Sequence, residues 1–164
     1  RSMQLVQGDF ETRMRRRIAE FLEARREWNL RLYRTPAGLR VLVTHKTFAP
    51  DDPAVAECFA ALGADPLYVR MCLNQHCFRA RVSPKPWRIG VSDHIPPGRG
   101  TWPIRPEIAE DRADWVEKYE AEATRFAACR FLESTGSGVV HHQVRWVQEL
   151  HDDLCYATSG LPIA

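Results

Sequence analysis

Apolar positions recur along this chain at two periods. Over residues 9–28, Phe10, Met14, Ile18, Phe21 and Leu22 return every three or four residues between charges, which predicts an amphipathic helix. Residues 29–34 and 39–45 are short β-prone runs around Thr35-Pro36-Ala37-Gly38, where proline presets φ and glycine loosens the backbone, so a hairpin is predicted. Asp51-Asp52-Pro53 and Asp65-Pro66 each place a capping carboxylate before a first-turn proline, predicting helices that end near Gly63 and Asn74. Residues 77–83 alternate Phe78, Ala80 and Val82 with Arg79, Arg81 and Ser83, the period of a strand. That strand stops at Pro84-Lys85-Pro86, and residues 87–92 are expected to return as another. Residues 93–106 read as a loop, 106–124 as a helix carrying Ile108, Trp115, Val116 and Tyr119, and 125–134 as a strand. A final helix over 139–157 carries Val140, Val144, Val147, Leu150 and Leu154 as its apolar stripe. The order predicts one α+β domain over 1–164, with an antiparallel or mixed sheet of about four strands and helices mainly on one face.

Composition narrows the class. The 164 residues are 45% apolar and 27% charged, the balance of a globular unit rather than a collagen, coiled coil or disordered chain. No apolar run approaches the roughly 18 residues of a membrane span, and the arginine-rich first thirty residues hold no signal core, so a cytoplasmic protein is expected. Five cysteines, an odd number set in apolar stretches, predict reduced, buried thiols. Cys72, His76 and Cys77 lack the second ligand pair of a zinc knuckle and read as two core cysteines with a helix-terminal histidine.

Net charge is only +2, so its distribution matters more than its size. Residues 28–50 hold Arg31, Arg34, Arg40 and Lys46 with no acid, and residues 66–105 hold seven cations against Asp93 alone. Alternation puts Arg31 and Tyr33 on one face of the first strand, Arg40, Leu42 and Thr44 on one face of the second, and Arg79 and Arg81 together on the third. Guanidinium forks match phosphate oxygens and an interleaved ring stacks a base. The proline-stiffened run that follows displays Lys85, Trp87 and Arg88 in the same chemistry. The alternative is a solvated face whose arginines pair with the acids of 107–122.

Other constellations are weaker. Asp93, His94, His141 and His142 are the metal-ligand candidates, but no spacing enforces a site, and adjacent histidines on a helix diverge. His151-Asp152-Asp153 resembles the His-Asp pairs of metal hydrolases at dipeptide level. Ser134-Thr135-Gly136-Ser137-Gly138 joins strand to helix without the lysine of a P-loop, and Ser137 is expected to cap the connection.

The run from Leu32 to Leu42, taken with Phe78-Arg79-Ala80-Arg81-Val82-Ser83-Pro84-Lys85-Pro86, resembles the glycine hairpin and basic strand of archaeo-eukaryotic primase-like palm domains. The resemblance covers about fifty residues. It implies a nucleotide-binding shape. Such palms use paired metal-binding acids, and this hairpin has none, since Asp51-Asp52 begins a helix; no catalytic residue carries over. The sequence therefore leads to a nucleic-acid or nucleotide-phosphate binding module, with no cofactor expected. A small phosphoryl- or nucleotidyl-transfer enzyme is the alternative, and only there is a divalent metal implied. A third reading is an interaction or regulatory domain of a larger protein, meeting its partner through the apolar faces of the first and last helices.

Overall fold

The structure, a computed structural model, describes residues 2–91 and 102–164, with side chains from Phe10 onward. Its elements are α1 (Ser2–Glu23), β1 (Asn29–Thr35), β2 (Gly38–Val43), α2 (Pro53–Leu62), α3 (Pro66–Gln75), α4 (Ala109–Ala123), β3 (Arg130–Gly136) and α5 (His142–Leu154). Short 3-10 turns occupy Pro86–Arg88 and Pro106–Ile108. No helix among the described residues is long and apolar enough to cross a membrane.

The hairpin forms where turn chemistry places it, with Pro36 and Ala37 linking β1 to β2. β1 is central, antiparallel to β2 on one side and β3 on the other, in the order β2-β1-β3. The described residues thus hold three strands, fewer than the four expected. The missing strand is 77–83. Of its apolar positions Phe78 and Ala80 are exposed and Val82 alone packs on the Tyr33 cluster, so most of its apolar side covers nothing, and alternation alone does not make a ladder. Instead of a ladder partner, Arg81 and the following Pro84 have side-chain donors on their carbonyls: Arg40 Nη2 donates to the Arg81 carbonyl at 2.8 Å, and the Tyr119 hydroxyl donates to the Pro84 carbonyl at 2.8 Å. Residues 87–91 form no strand either, because Pro86 starts a turn whose carbonyl accepts from Ile89 and Val91. Ser92 and most of the expected loop lie outside the described residues.

Two local predictions hold in detail. Asp52 accepts from the Ala54 amide and Asp65 from the Leu67 amide, both at 2.8 Å, with Pro53 and Pro66 opening α2 and α3. Gly63 ends α2 in the left-handed conformation. α1 begins and ends earlier than its pattern suggested, and Trp28 lies beyond it, in the core between Phe21 and Phe48.

The two faces of β1 define two cores. Leu30 and Leu32 pack with Ile18, Phe21, Trp28, Cys58 and Leu62, joining α1 and α2 to one face of the sheet. Full burial of each such side chain is worth roughly 1.5–3 kcal/mol. The opposite face is also covered, so helices are not confined to one side. There Tyr33 packs with Ala128, Cys129, Cys155 and Ala157, at the C-terminal end of α5. A third cluster of Ile89, Val91 and Ala164 against Trp115, Tyr119 and Phe126 anchors the end of the basic segment to α4.

α5 is shorter than predicted and is packed on its predicted stripe only at Val144. It buries Val144 and His151, while Trp146, Val147, Leu150 and Leu154 point outward, Trp146 being 76% exposed. All five cysteines are free; Cys58, Cys72, Cys129 and Cys155 are buried, and Cys77 is exposed rather than in the core. Acids do neutralise sheet arginines, but from α1 and α5 rather than 107–122: Arg34 pairs with Glu11 and Arg31 with Asp152, while Arg15 of α1 pairs with Glu133 of β3.

Candidate functional site: a buried cysteine, histidine and arginine cluster on the sheet

Pairing of Tyr33 with Arg40 and of Arg31 with Leu42 puts both arginines on the face that receives the end of α5. Backbone hydrogen bonds fix this junction, since Ala128 donates to the Cys155 carbonyl at 2.9 Å and Phe131 to the Ala157 carbonyl at 2.8 Å. Helical spacing then brings His151 and Cys155, four residues apart, to the same side, facing Cys129 just before β3.

The carboxylate of Asp152 organises one half. Its Oδ2 accepts from Arg31 Nη2 at 2.5 Å, while its Oδ1 accepts from the Tyr33 hydroxyl at 2.7 Å and faces His151 Nδ1 at 3.1 Å. Arg31 Nε donates to the Tyr33 oxygen at 2.7 Å, and its guanidinium lies 3.6 Å from the Phe131 ring centroid. Burial, reinforced by the neighbouring Asp152, pushes the Tyr33 phenol well above its ordinary range.

Arg40 organises the other half. Its Nη1 stands 2.8 Å from His151 Nε2, 3.7 Å from Cys129 Sγ and 3.6 Å from Cys155 Sγ. A guanidinium only donates, so Nε2 is the acceptor and the imidazole proton resides on Nδ1, pointing at Asp152. The sulfurs lie 4.0 Å (Cys129) and 3.6 Å (Cys155) from the same Nε2. A hydrogen bond from Cys129, with smaller help from His151 and Arg40, lowers the Cys155 thiol against the opposing effect of burial; the Cys129 thiol is raised. Burial opposes protonation of His151, yet its contacts with Cys155 and Asp152 hold its pKa above the ordinary value.

The structure therefore divides the sequence-predicted residues. Arg31, Tyr33 and Arg40 share a face as alternation required, but Tyr33 is 0% exposed and no stacking platform, and Arg31 is spent on Asp152. Arg79, Arg81, Trp87 and Arg88 are exposed and Lys85 is half-buried, on the irregular segment rather than on the sheet. Lys85 Nζ lies 5.0 Å from the Trp87 ring centroid, and Arg79 donates to Gln75 at 2.5 Å. Among the metal candidates, Asp93 and His94 lie outside the described residues. His141 caps α5 by accepting from the Gln143 amide at 3.3 Å, its ring 4.3 Å from that of exposed His142. Ser137 caps its turn by accepting from Val139 at 3.3 Å.

Sequence reasoning missed the grouping of Cys129, His151 and Cys155. Only His151 and Cys155, one helical turn apart, left a local signal; Cys129 is brought in by the backbone hydrogen bonds that join Ala128 and Phe131 to Cys155 and Ala157. Comparison with protein-family models, with curated proteins and with solved structures found no match.

Proposed function

We propose that the chain binds a phosphate-bearing ligand, a nucleotide or nucleic acid, through residues 79–88. One observation carries this reading: Arg79, Arg81, Lys85 and Arg88 occupy a segment tied down at three places, and none has a carboxylate partner among the described residues. The ties are the Arg81 carbonyl on Arg40, the Pro84 carbonyl on Tyr119, and the burial of Ile89 and Val91. Cations displayed on anchored backbone lose little entropy on meeting an anion. Guanidinium forks suit phosphate, and Trp87, 56% exposed, offers a ring for a base. Arg40 props this segment from beneath, and Arg31 and Tyr33 hold the support together without touching the ligand.

The test is fluorescence anisotropy of labelled single- and double-stranded DNA and RNA, and of a labelled nucleotide, at several salt concentrations. Binding is expected to weaken steeply with salt, and Arg79→Ala/Arg81→Ala to flatten the logarithmic salt slope by roughly 1.5 for a strand ligand. Absent or salt-independent binding would refute the reading.

A further inference from the structure

We propose that Cys129, His151 and Cys155 form a binding site for a thiophilic divalent cation of the zinc class. This site is buried behind the basic segment and does not require that segment to bind an anion, although both use Arg40.

Three soft or borderline donors converge there, with their ligand atoms all within 4.8 Å of one another. Zinc–sulfur and zinc–nitrogen bonds of about 2.3 and 2.0–2.1 Å imply tetrahedron edges of roughly 3.6 Å for S···N and 3.8 Å for S···S. The observed S···N separations of 3.6 and 4.0 Å match that edge closely enough for closure with small side-chain adjustments.

The surroundings point the same way. A metal-ligating histidine characteristically gives its second ring N–H to a carboxylate, which fixes the tautomer and strengthens the donor. His151 does this with Asp152 at 3.1 Å, and that carboxylate is itself held by Arg31 and Tyr33. Cys155 sits at the C-terminal end of α5, where the helix dipole favours a cation.

Arg40 is the resident positive charge. Its Nη1 addresses the same three donor atoms, so metal binding and the Arg40–His151 contact exclude each other. As the metal–sulfur bonds form, the thiol protons pass to solvent and the guanidinium withdraws from Nε2. With three protein ligands, the fourth position is left to water or another exogenous donor.

The experiment is titration of the metal-stripped, reduced full chain with Co2+. A single equivalent is expected to produce sulfur-to-cobalt charge transfer and the intense visible bands of a tetrahedral site, both abolished by one equivalent of Zn2+. Cys129→Ser and Cys155→Ser, checked for folding by circular dichroism, are expected to lose charge-transfer intensity, whereas Cys77→Ser keeps it. Arg40→Met retains all three ligands, and removal of the competing charge is expected to tighten Co2+ binding by about tenfold. No charge transfer in the parent chain, a band that survives both serine variants, or unchanged or weaker affinity in Arg40→Met would overturn the proposal. Phosphate-ligand binding can fail without affecting any of these readouts.

Discussion

Arg31 and Asp152 meet at 2.5 Å across 121 positions of sequence, with their side chains only 14% and 15% exposed. An arginine that alternation places on a binding face is thereby made internal, and the pair clamps α5 to the sheet. Asp152→Asn leaves Arg31 without its countercharge and is expected to cost about 3–5 kcal/mol, measured by urea unfolding. Replacing both partners with apolar residues of similar volume is expected to cost far less, since no buried charge is then stranded. Equal losses in the single and double variants would show that the ion pair is not what holds the junction.

His45 gives the fold an acid-sensitive corner. Its ring packs 4.7 Å from Trp28 and 5.5 Å from Phe48, its Nδ1 accepts from the Asn29 amide at 3.4 Å, and its buried Nε2 has no partner among the described residues. Burial first, and Lys46 second, lower its pKa below the ordinary 6.5, against a weaker opposite pull from Glu27. The unfolded chain therefore takes up this proton first. The His45 contribution is fully present above the unfolded pKa and declines as pH falls below about 6.5 toward the lower folded value. On acidification the urea midpoint of the parent chain is expected to fall relative to that of His45→Phe, because phenylalanine keeps the ring packing without the titration. A constant difference across that window would rule out this source of acid sensitivity.

Gly136 is required by its surroundings. Its φ is +115°, and a Cβ there would lie 2.2 Å from the Trp28 carbonyl oxygen, at the end of the β1–β3 pairing. The obstacle is backbone and cannot rotate away. Gly136→Ala is expected to destabilise by about 3 kcal/mol or more, through strain and clash together. By contrast, an added Cβ at Gly138 meets nothing within 4 Å, so Gly138→Ala carries only the φ penalty and is expected to be the milder variant. Thermal unfolding of the two side by side checks the ranking.

Elements specified by nearby residues were legible in the sequence. The caps at Asp52 and Asp65 and the hairpin at Pro36-Ala37 need only a few neighbours, so their chemistry can be read locally. Elements that depend on what lies across from them were not. Period-two alternation in 77–83 describes a strand only if its apolar side finds cover, and of that side Phe78 and Ala80 stay exposed while Val82 alone is packed. The candidate site failed to show for a related reason. Its side chains come from β1, β2, the approach to β3 and the end of α5; alternation groups Arg31 with Tyr33 and adjacency groups His151 with Asp152, but nothing local brings Cys129 to His151 and Cys155.

The same limit governs α5 and yields the last prediction. Apolar periodicity marks Val140, Val144, Val147, Leu150 and Leu154 as one stripe, but periodicity shows which face is apolar and not which face is packed. In the structure the packed positions are Val144 and His151, seven residues apart, followed by Cys155 four further on, while Val147, Leu150 and Leu154 are at least half exposed. On this face Asp152 reaches Arg31 and His151 reaches Arg40, while the larger apolar side chains stay outside. Val144→Ala then removes a packed side chain and is expected to cost about 1–2 kcal/mol. Trp146→Ser and Leu150→Ser remove exposed ones and are expected to change stability by less than about 0.5 kcal/mol each. If urea unfolding instead showed Leu150→Ser to be the costly change, the helix would be packed on its apolar stripe. His151 and Cys155 would then be turned away from Cys129, and the buried cluster would not exist.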